Sequence, residues 1–128
     1  MAAFVLTSTG KQIISQRLNG TNTAPVYIAW GTGGTTATAA DNALGVIAAP
    51  TVTTAVTGTG STVTTTNTND TFQVAGTVTA GGALTIIEVA LLNQATVSGA
   101  QYFLRADHGS TVLASGDSIT YTIKVQFT

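Results

Sequence analysis

The stretch that decides the fold is Asp117-Ser-Ile-Thr-Tyr-Thr-Ile-Lys-Val-Gln-Phe-Thr128. From Ile119 onward every second residue is apolar and the residues between are polar; the apolar set is Ile119, Tyr121, Ile123, Val125 and Phe127. In an extended backbone successive side chains point to opposite faces, so this pattern predicts a long strand with one buried and one solvent-facing side. Such a strand needs a sheet packed against a second layer, because a strand alone has nothing to cover its apolar face.

Shorter segments of the same kind recur along the chain, separated by Gly- and Asn-rich turns at roughly ten-residue intervals. Strands are predicted at Pro25–Trp30, Phe72–Val78, Ala83–Leu92 and Tyr102–Ala106, with weaker candidates at Val46–Val56 and Ser61–Thr66. The many β-branched residues favour a pleated, half-buried surface. This spacing is typical of an all-β sandwich or barrel, and we predict a single-domain, jelly-roll-like β-sandwich.

The predicted strand Ala83–Leu92 differs from the others because it has apolar residues on both faces. Ile86, Glu88 and Ala90 share one face in strict alternation, and Val89 lies on the other. A strand with two apolar faces is expected to be buried on both sides.

One segment has helical rather than strand spacing. It predicts a short N-terminal helix over Lys11–Leu18, capped by Ser8 or Thr9 and ended by Asn19-Gly20. A chain of 128 residues fits one domain. We therefore expect an N-terminal arm and short helix over residues 1–24 and a β-sandwich domain over residues 25–128.

The amino-acid composition limits which classes of molecule this protein is expected to bind. Charged residues make up 7% of the chain and the net charge is −1, whereas an ordinary domain is about one-quarter charged. Nucleic acid is not expected as a partner, because phosphate binding needs clustered Lys and Arg. No membrane partner is expected either, since no apolar run approaches about 18 residues. A surface with so few charges tends to associate with neighbouring molecules.

Glu88 is the most interesting candidate for chemistry, because it lies within an otherwise apolar strand. A buried carboxylate is costly unless it is paired, and Arg105, also between apolar neighbours, is its natural partner. Two hypotheses follow: a tuned general acid, or a structural ion pair within the sheet or across a subunit contact. No second carboxylate has a sequence cue that places it beside Glu88, which favours the structural ion pair.

Two further motifs contain the residue types of a phosphate-binding loop or a catalytic triad but lack the spacing that such a site requires. Gly31-Thr-Gly-Gly34 follows a predicted strand, as a phosphate-binding loop would, but lacks the G-x-G-x-x-G spacing and a Walker Lys, which favours a tight turn. Asp107-His108-Gly-Ser110 contains Asp, His and Ser, but adjacency does not provide the convergence that a catalytic triad needs. We therefore expect a solvent-exposed loop over residues 107–116. With one His and no Cys, neither a metal site nor a cofactor is expected, and no small-molecule substrate is predicted.

The aromatic residues offer two alternatives. Trp30 stands at a strand end beside the glycine motif, and we single it out as a candidate contact anchor for a partner. Together with other aromatics it could instead form a sugar-binding platform; the set is Tyr27, Trp30, Phe72, Tyr102 and Phe103. Residues of this set that follow the strand alternation are expected to be packed in the core.

Several stretches, taken in order, carry a family resemblance. They are Tyr27–Gly33 followed by Asp41–Leu44, Asn69–Val78, Ile86–Asn93, Leu104–Ala106 and Gly116–Phe127. In this order they resemble a loose group of small all-β structural proteins of tailed bacteriophages, over about Tyr27 to Phe127. The sequence departs from the expected pattern at Val89-Ala90, where a Gly before Leu is usual, and around Pro50, where a charged pair is common.

The resemblance implies a non-enzymatic virion component that is made in the host cytoplasm. It implies a capsid decoration (cement) protein that binds the major capsid protein and copies of itself as a homo-oligomer. The alternative is a tail, collar or fibre module that binds a receptor. Ala2–Leu18 and Thr35–Thr66 are the expected contact surfaces, because they are the least core-like parts of the chain.

Overall fold

The computed structural model describes residues 4–128, which form one helix and eight strands. The helix α1 spans Ser8–Leu18. The strands are β1 Phe4–Leu6, β2 Tyr27–Gly31, β3 Val56–Thr57, β4 Thr59–Val63, β5 Thr71–Thr79, β6 Leu84–Leu92, β7 Tyr102–Leu113 and β8 Ser118–Gln126.

The strands build two antiparallel sheets packed as a sandwich, one with the order β1-β7-β6-β2-β3 and the other β4-β5-β8. The predicted sandwich with a short N-terminal helix is confirmed. The stretch that predicted it forms β8, which pairs with β5 over nine consecutive residues without a bulge. The observed order has sheets of five and three strands, so what is established is the sandwich and not a jelly-roll strand order.

The main core lies between the two sheets. Its largest fully buried side chains include Trp30, Phe103 and Leu91 from the five-stranded sheet and Val74 from the three-stranded sheet. Tyr121 of β8 is buried in the same core, as its alternation predicts.

A second apolar cluster covers the outer face of the five-stranded sheet. Ala90 and Leu92 of β6 pack there against Leu44 and Ala55, which belong to the long connection between β2 and β3. The prediction that β6 is buried on both faces is therefore confirmed. The layer that covers its outer face is a connection without long strands, which alternation could not reveal.

An irregularity in β6 changes which residues share a face. The pairing of β6 with β7 shifts register between Ile86 and Glu88. Ile86 faces the main core, whereas Ala90 faces the outer cluster. The prediction that Ile86, Glu88 and Ala90 share a face is therefore wrong, because a bulge moves the alternation by one residue.

Strand β7 continues through residues for which a loop was predicted. Residues 107–113 belong to β7, and Asp107, Thr111 and Leu113 pair with Glu88, Ile86 and Leu84 of β6. Residues 108–110 bulge opposite Ile87. Pairing along the β6–β7 hairpin outweighs the weak strand propensity of Asp and Gly, since strand propensity depends strongly on context.

The strand candidate Val46–Val56 is mostly wrong. Only β3 at its end and two isolated bridges, Gly31 with Ile47 and Thr54 with Thr96, have strand pairing within it. Pro50 interrupts the segment, and a proline cannot donate to a sheet ladder.

The helix begins at Ser8, earlier than predicted, because Thr7 and neither Ser8 nor Thr9 is its N-cap. The Thr7 hydroxyl oxygen accepts a hydrogen bond from the Gly10 N–H at 2.8 Å. Ile13 is fully buried in the main core, so the helix packs on the sandwich. Residues 1–3 of the predicted arm lie outside the described residues.

The turn between β4 and β5 is organised by Asp70. Its carboxylate accepts backbone N–H bonds from Asn67, Thr65 and Thr66 and a side-chain bond from Gln126, all within 3.0 Å. The backbone bonds, led by those from Asn67 and Thr65, hold the pKa of Asp70 far below its usual value. The Asp70 carboxylate thus ties the β4–β5 turn to the end of β8.

Candidate functional site

Glu88 lies on β6 beneath the connection between β2 and β3, and its side chain has no accessible surface. Oε1 accepts the backbone N–H groups of Gly33 at 3.0 Å and Val46 at 2.9 Å. Oε2 accepts the N–H of Gly45 at 3.0 Å and an N–H of Arg105 at 2.6 Å. Two donors on each oxygen saturate the carboxylate, so Glu88 is not placed to exchange a proton with a substrate.

Arg105 lies on the neighbouring strand β7 and is 2% exposed. Its Nη2 is 2.6 Å from Glu88 Oε2 and 2.6 Å from the carbonyl oxygen of Thr35. Its Nη1 donates to Asp41 Oδ2 at 2.9 Å, and Nη2 lies 3.4 Å from Asp107 Oδ1. The ion pair expected from the sequence thus forms within one chain. It belongs to a larger group, here called the ion cluster: Glu88, Arg105, Asp41 and Asp107.

Asp41 and Asp107 were not predicted as partners of Arg105. Asp41 also accepts the N–H of Thr38 at 2.8 Å, and Asp107 Oδ2 accepts the N–H of Ala37 at 2.7 Å. Burial acts to raise the pKa of Asp41, but hydrogen bonds from Thr38 and Arg105 outweigh it and leave that pKa below its usual value. The sequence could have indicated Asp107, because it lies two residues from Arg105 and residues two apart on a strand share a face.

The ion cluster contains three carboxylates and one guanidinium, so the guanidinium alone cannot balance its charge. Backbone N–H donors make up the difference; they come from Gly33, Ala37, Thr38, Gly45 and Val46. All five lie on the connection between β2 and β3. Four of them donate to Glu88 or Asp107, which lie on β6 and β7, so residues 33–46 are pinned to the outer face of the sheet.

The glycine motif owes its composition to this contact. Gly31 is the last residue of β2, and Gly33 passes so close to Glu88 that a Cβ on it would lie 2.6 Å from Oε1. The Gly33 N–H is directed at an anion, as in a phosphate loop, but the anion is the protein's own carboxylate. The motif therefore lies against the Glu88 carboxylate and binds it through the Gly33 N–H, and it is not a simple tight turn.

Replacing Gly33 with Ala is expected to lower the free energy of unfolding by about 1–3 kcal/mol, because the added methyl group displaces Glu88 or the backbone of Gly45. Gly34 is the matched control. A Cβ there meets only Ile87 Cδ1 at 4.0 Å, so Gly34→Ala should be close to neutral. Urea unfolding followed by circular dichroism measures both changes. Equal effects at the two positions would contradict the close approach at Gly33.

Trp30 is a core residue, which corrects the expectation of a contact anchor. It is 0% exposed, and its indole Nε1–H donates to the carbonyl oxygen of Ala49 at 2.9 Å. The strand end that appeared open in the sequence is covered by the connection between β2 and β3. Tyr102 and Phe103 are buried as well, so these aromatics do not form a sugar-binding platform.

Asp107, His108 and Ser110 do not converge as a triad. The His108 Nε2 lies 2.9 Å from the Tyr121 hydroxyl and its Nδ1 lies 2.8 Å from the carbonyl oxygen of Gly109. Asp107 is directed at Ala37 and Arg105 instead. Burial raises the pKa of Tyr121 above its usual value. The hydrogen bond between the His108 ring and the Tyr121 hydroxyl links the bulge of β7 to β8 across the sandwich.

Within residues 4–128, no group of three or more His, Asp or Glu side chains is arranged to hold a metal ion. Over the same residues, no helix is long and apolar enough to cross a membrane. The chain matches no protein-family model, and comparisons with curated proteins and with solved structures also find no match. The family resemblance therefore depends on the sequence motifs alone.

Proposed function

We propose that this chain is a non-enzymatic structural protein of a tailed-phage particle. Its proposed place is the capsid surface, where it acts as a decoration protein. It binds neighbouring major capsid subunits and copies of itself, and its action is to hold them together. A position in the tail, collar or fibres is the alternative that the same resemblance allows.

The observation that carries this proposal is where the few charges lie. Of the nine charged residues, four form the ion cluster that joins the connection between β2 and β3 to the five-stranded sheet. Five remain for a surface of 6339 Å²: Lys11, Arg17, Asp70, Asp117 and Lys124. A surface with so little charge favours association with other molecules over a free monomeric state. Such association is expected of a protein that covers a capsid lattice.

The exposed apolar side chains agree with this proposal. Leu18 is 86% exposed at the end of α1, and Val46 and Val52 are 56% and 46% exposed on the connection between β2 and β3. These positions fall in the two regions expected to make contacts. Single apolar residues are common on any surface, so it is the position of these three in the two expected contact regions that supports the proposal.

The ion cluster suits a protein that binds through many weak contacts. It holds residues 33–46 in one conformation before any partner arrives, so little ordering entropy is lost on binding. Contacts that are weak singly then sum over a symmetric lattice.

The number of copies per particle tests the proposal. Quantitative mass spectrometry of purified virions would compare this chain with the major capsid protein. An abundance close to that of the capsid protein is the expected result. A few to dozens of copies would overturn the capsid position in favour of tail, collar or fibres, and complete absence from particles would overturn the virion role.

A further inference from the structure

The two sheets are unequal, and the difference leaves a groove on one side of the sandwich. The five-stranded sheet ends there in β1 and the three-stranded sheet ends in β8. A cavity of about 300 Å³ lies between these two edges; its apolar lining includes Phe4, Val89, Ala106, Ile119, Tyr121 and Ile123. Phe4 is 49% exposed on its far wall. One more strand beside β8 would cover this groove.

The free edge of β8 has the hydrogen-bonding groups that such a strand needs. At its two ends, the Phe127 N–H donates to the carbonyl oxygen of Asp70, and the Asp117 carbonyl oxygen accepts the N–H of Ala80. Hydrogen-bonding direction alternates along an antiparallel ladder, so odd-numbered residues of β8 face β5. The N–H and C=O groups of Thr120, Thr122 and Lys124 are therefore directed at the free edge.

We propose that the partner of this edge is β8 of a second copy of this chain, paired antiparallel about a two-fold axis at Tyr121. The segment Ile119-Thr-Tyr-Thr-Ile123 reads the same in both directions. In this register Thr120 meets Thr122 of the other copy, and Ile119 meets Ile123. Only a self-complementary strand can satisfy both halves of an isologous contact in this way.

Charge and backbone direction both agree with this register. Lys124 is the only charged residue of β8, and its partner is Ser118 of the other copy, so no like charges meet. Thr120 and Thr122 form hydrogen-bonded pairs, as their free N–H groups require. The strand has neither the bulge nor the proline that protects other exposed edges. The result is one six-stranded sheet across the dimer, with the inward side chains of each β8 covering the groove.

This inference does not depend on the proposed virion role, because it concerns the purified chain alone. Sedimentation velocity over a wide concentration range should show a monomer–dimer equilibrium. A chain that stays monomeric at its highest soluble concentration would overturn the proposal, as would a closed trimer or higher ring.

Thr122→Pro tests the strand. The change removes an N–H that faces the free edge and leaves the ladder with β5 complete, and proline is tolerated at such positions. It should weaken dimerisation by at least about tenfold. Thr122→Ala, which keeps the N–H, is the matched control and should dimerise like the unchanged chain. Circular dichroism confirms that both variants are folded. Equal dimerisation by the proline and alanine variants would overturn the proposal.

The absence of cysteine from the chain allows a test of register. Thr120→Cys and Thr122→Cys are made as separate variants. Under mild oxidation a mixture of the two should form a covalent dimer, because the two positions face each other across the axis. Each variant alone should not, since its own cysteines lie diagonally and beyond the reach of a disulfide. Cross-linking of either variant alone at the rate of the mixture would overturn the register.

Discussion

Replacing Arg105 with Met is expected to lower the free energy of unfolding by about 3–5 kcal/mol at neutral pH. Met has a similar length and is apolar, so the change removes the charge and leaves most of the packing. Glu88 then stays buried without Arg105, its only cationic partner among residues 4–128, and Asp41 loses a bond of 2.9 Å. Urea unfolding measures the change. Limited proteolysis should also cut the variant faster within residues 33–46, because that segment loses its attachment.

The controls separate the ion cluster from charge in general. Lys124→Met removes an exposed basic residue and should change stability by no more than about 0.5 kcal/mol. A double-mutant cycle with Glu88→Gln should show a coupling of about 1–3 kcal/mol, because the two side chains touch. Additive effects of the two substitutions would contradict a direct ion pair.

Replacing Trp30 with Ala is expected to lower the free energy of unfolding by about 3–5 kcal/mol. The side chain has no accessible surface, and its removal opens a cavity between the sheets and leaves the Ala49 carbonyl oxygen without its donor. The matched controls are Leu18→Ala and Val112→Ala, whose side chains are 86% and 80% exposed. These controls should change stability by no more than about 0.5 kcal/mol.

This experiment also decides between the two roles considered for Trp30. A contact anchor predicts nearly unchanged stability of the free chain and a loss of binding to its partner. A core residue predicts a large loss of stability in the free chain, whatever the partner. Unfolding of the purified variant is therefore sufficient, and a loss below about 1 kcal/mol would contradict the buried position.

The Glu88–Arg105 ion pair could be predicted from the sequence, and Asp107 had a signal in its spacing from Arg105, but Asp41 could not be predicted. Glu88 and Arg105 stand out because a charge between apolar neighbours has a high cost of burial that only a partner offsets. Asp41 has no such signal, since it lies in a segment of mostly small residues far along the chain from β6 and β7. What brings it to Arg105 is the course of the connection between β2 and β3. In that connection the Ala37 N–H donates to Asp107 and the Thr38 N–H donates to Asp41.

Errors in the strand assignments have a related cause. Alternation finds a strand but not the register shift within it, so it placed Ile86 and Glu88 on one face, although a bulge separates them. Propensity placed residues 107–116 in a loop, although residues 107–113 gain a ladder with β6. In each case the pairing within the β6–β7 hairpin determined the outcome, and single-residue preferences carry no information about pairing partners.

By itself, the sequence determined the periodic features, which are strands of two-residue period, one helix and a sandwich, together with a low content of charged residues. These depend on which side chains can be removed from water, and that property is local to each segment. Only the tertiary structure decided the strand order, the burial of Trp30 and the ion cluster that attaches residues 33–46 to the sheet. These depend on which segments meet in space, because the cost of a buried charge or an open strand edge is set by whatever lies opposite it.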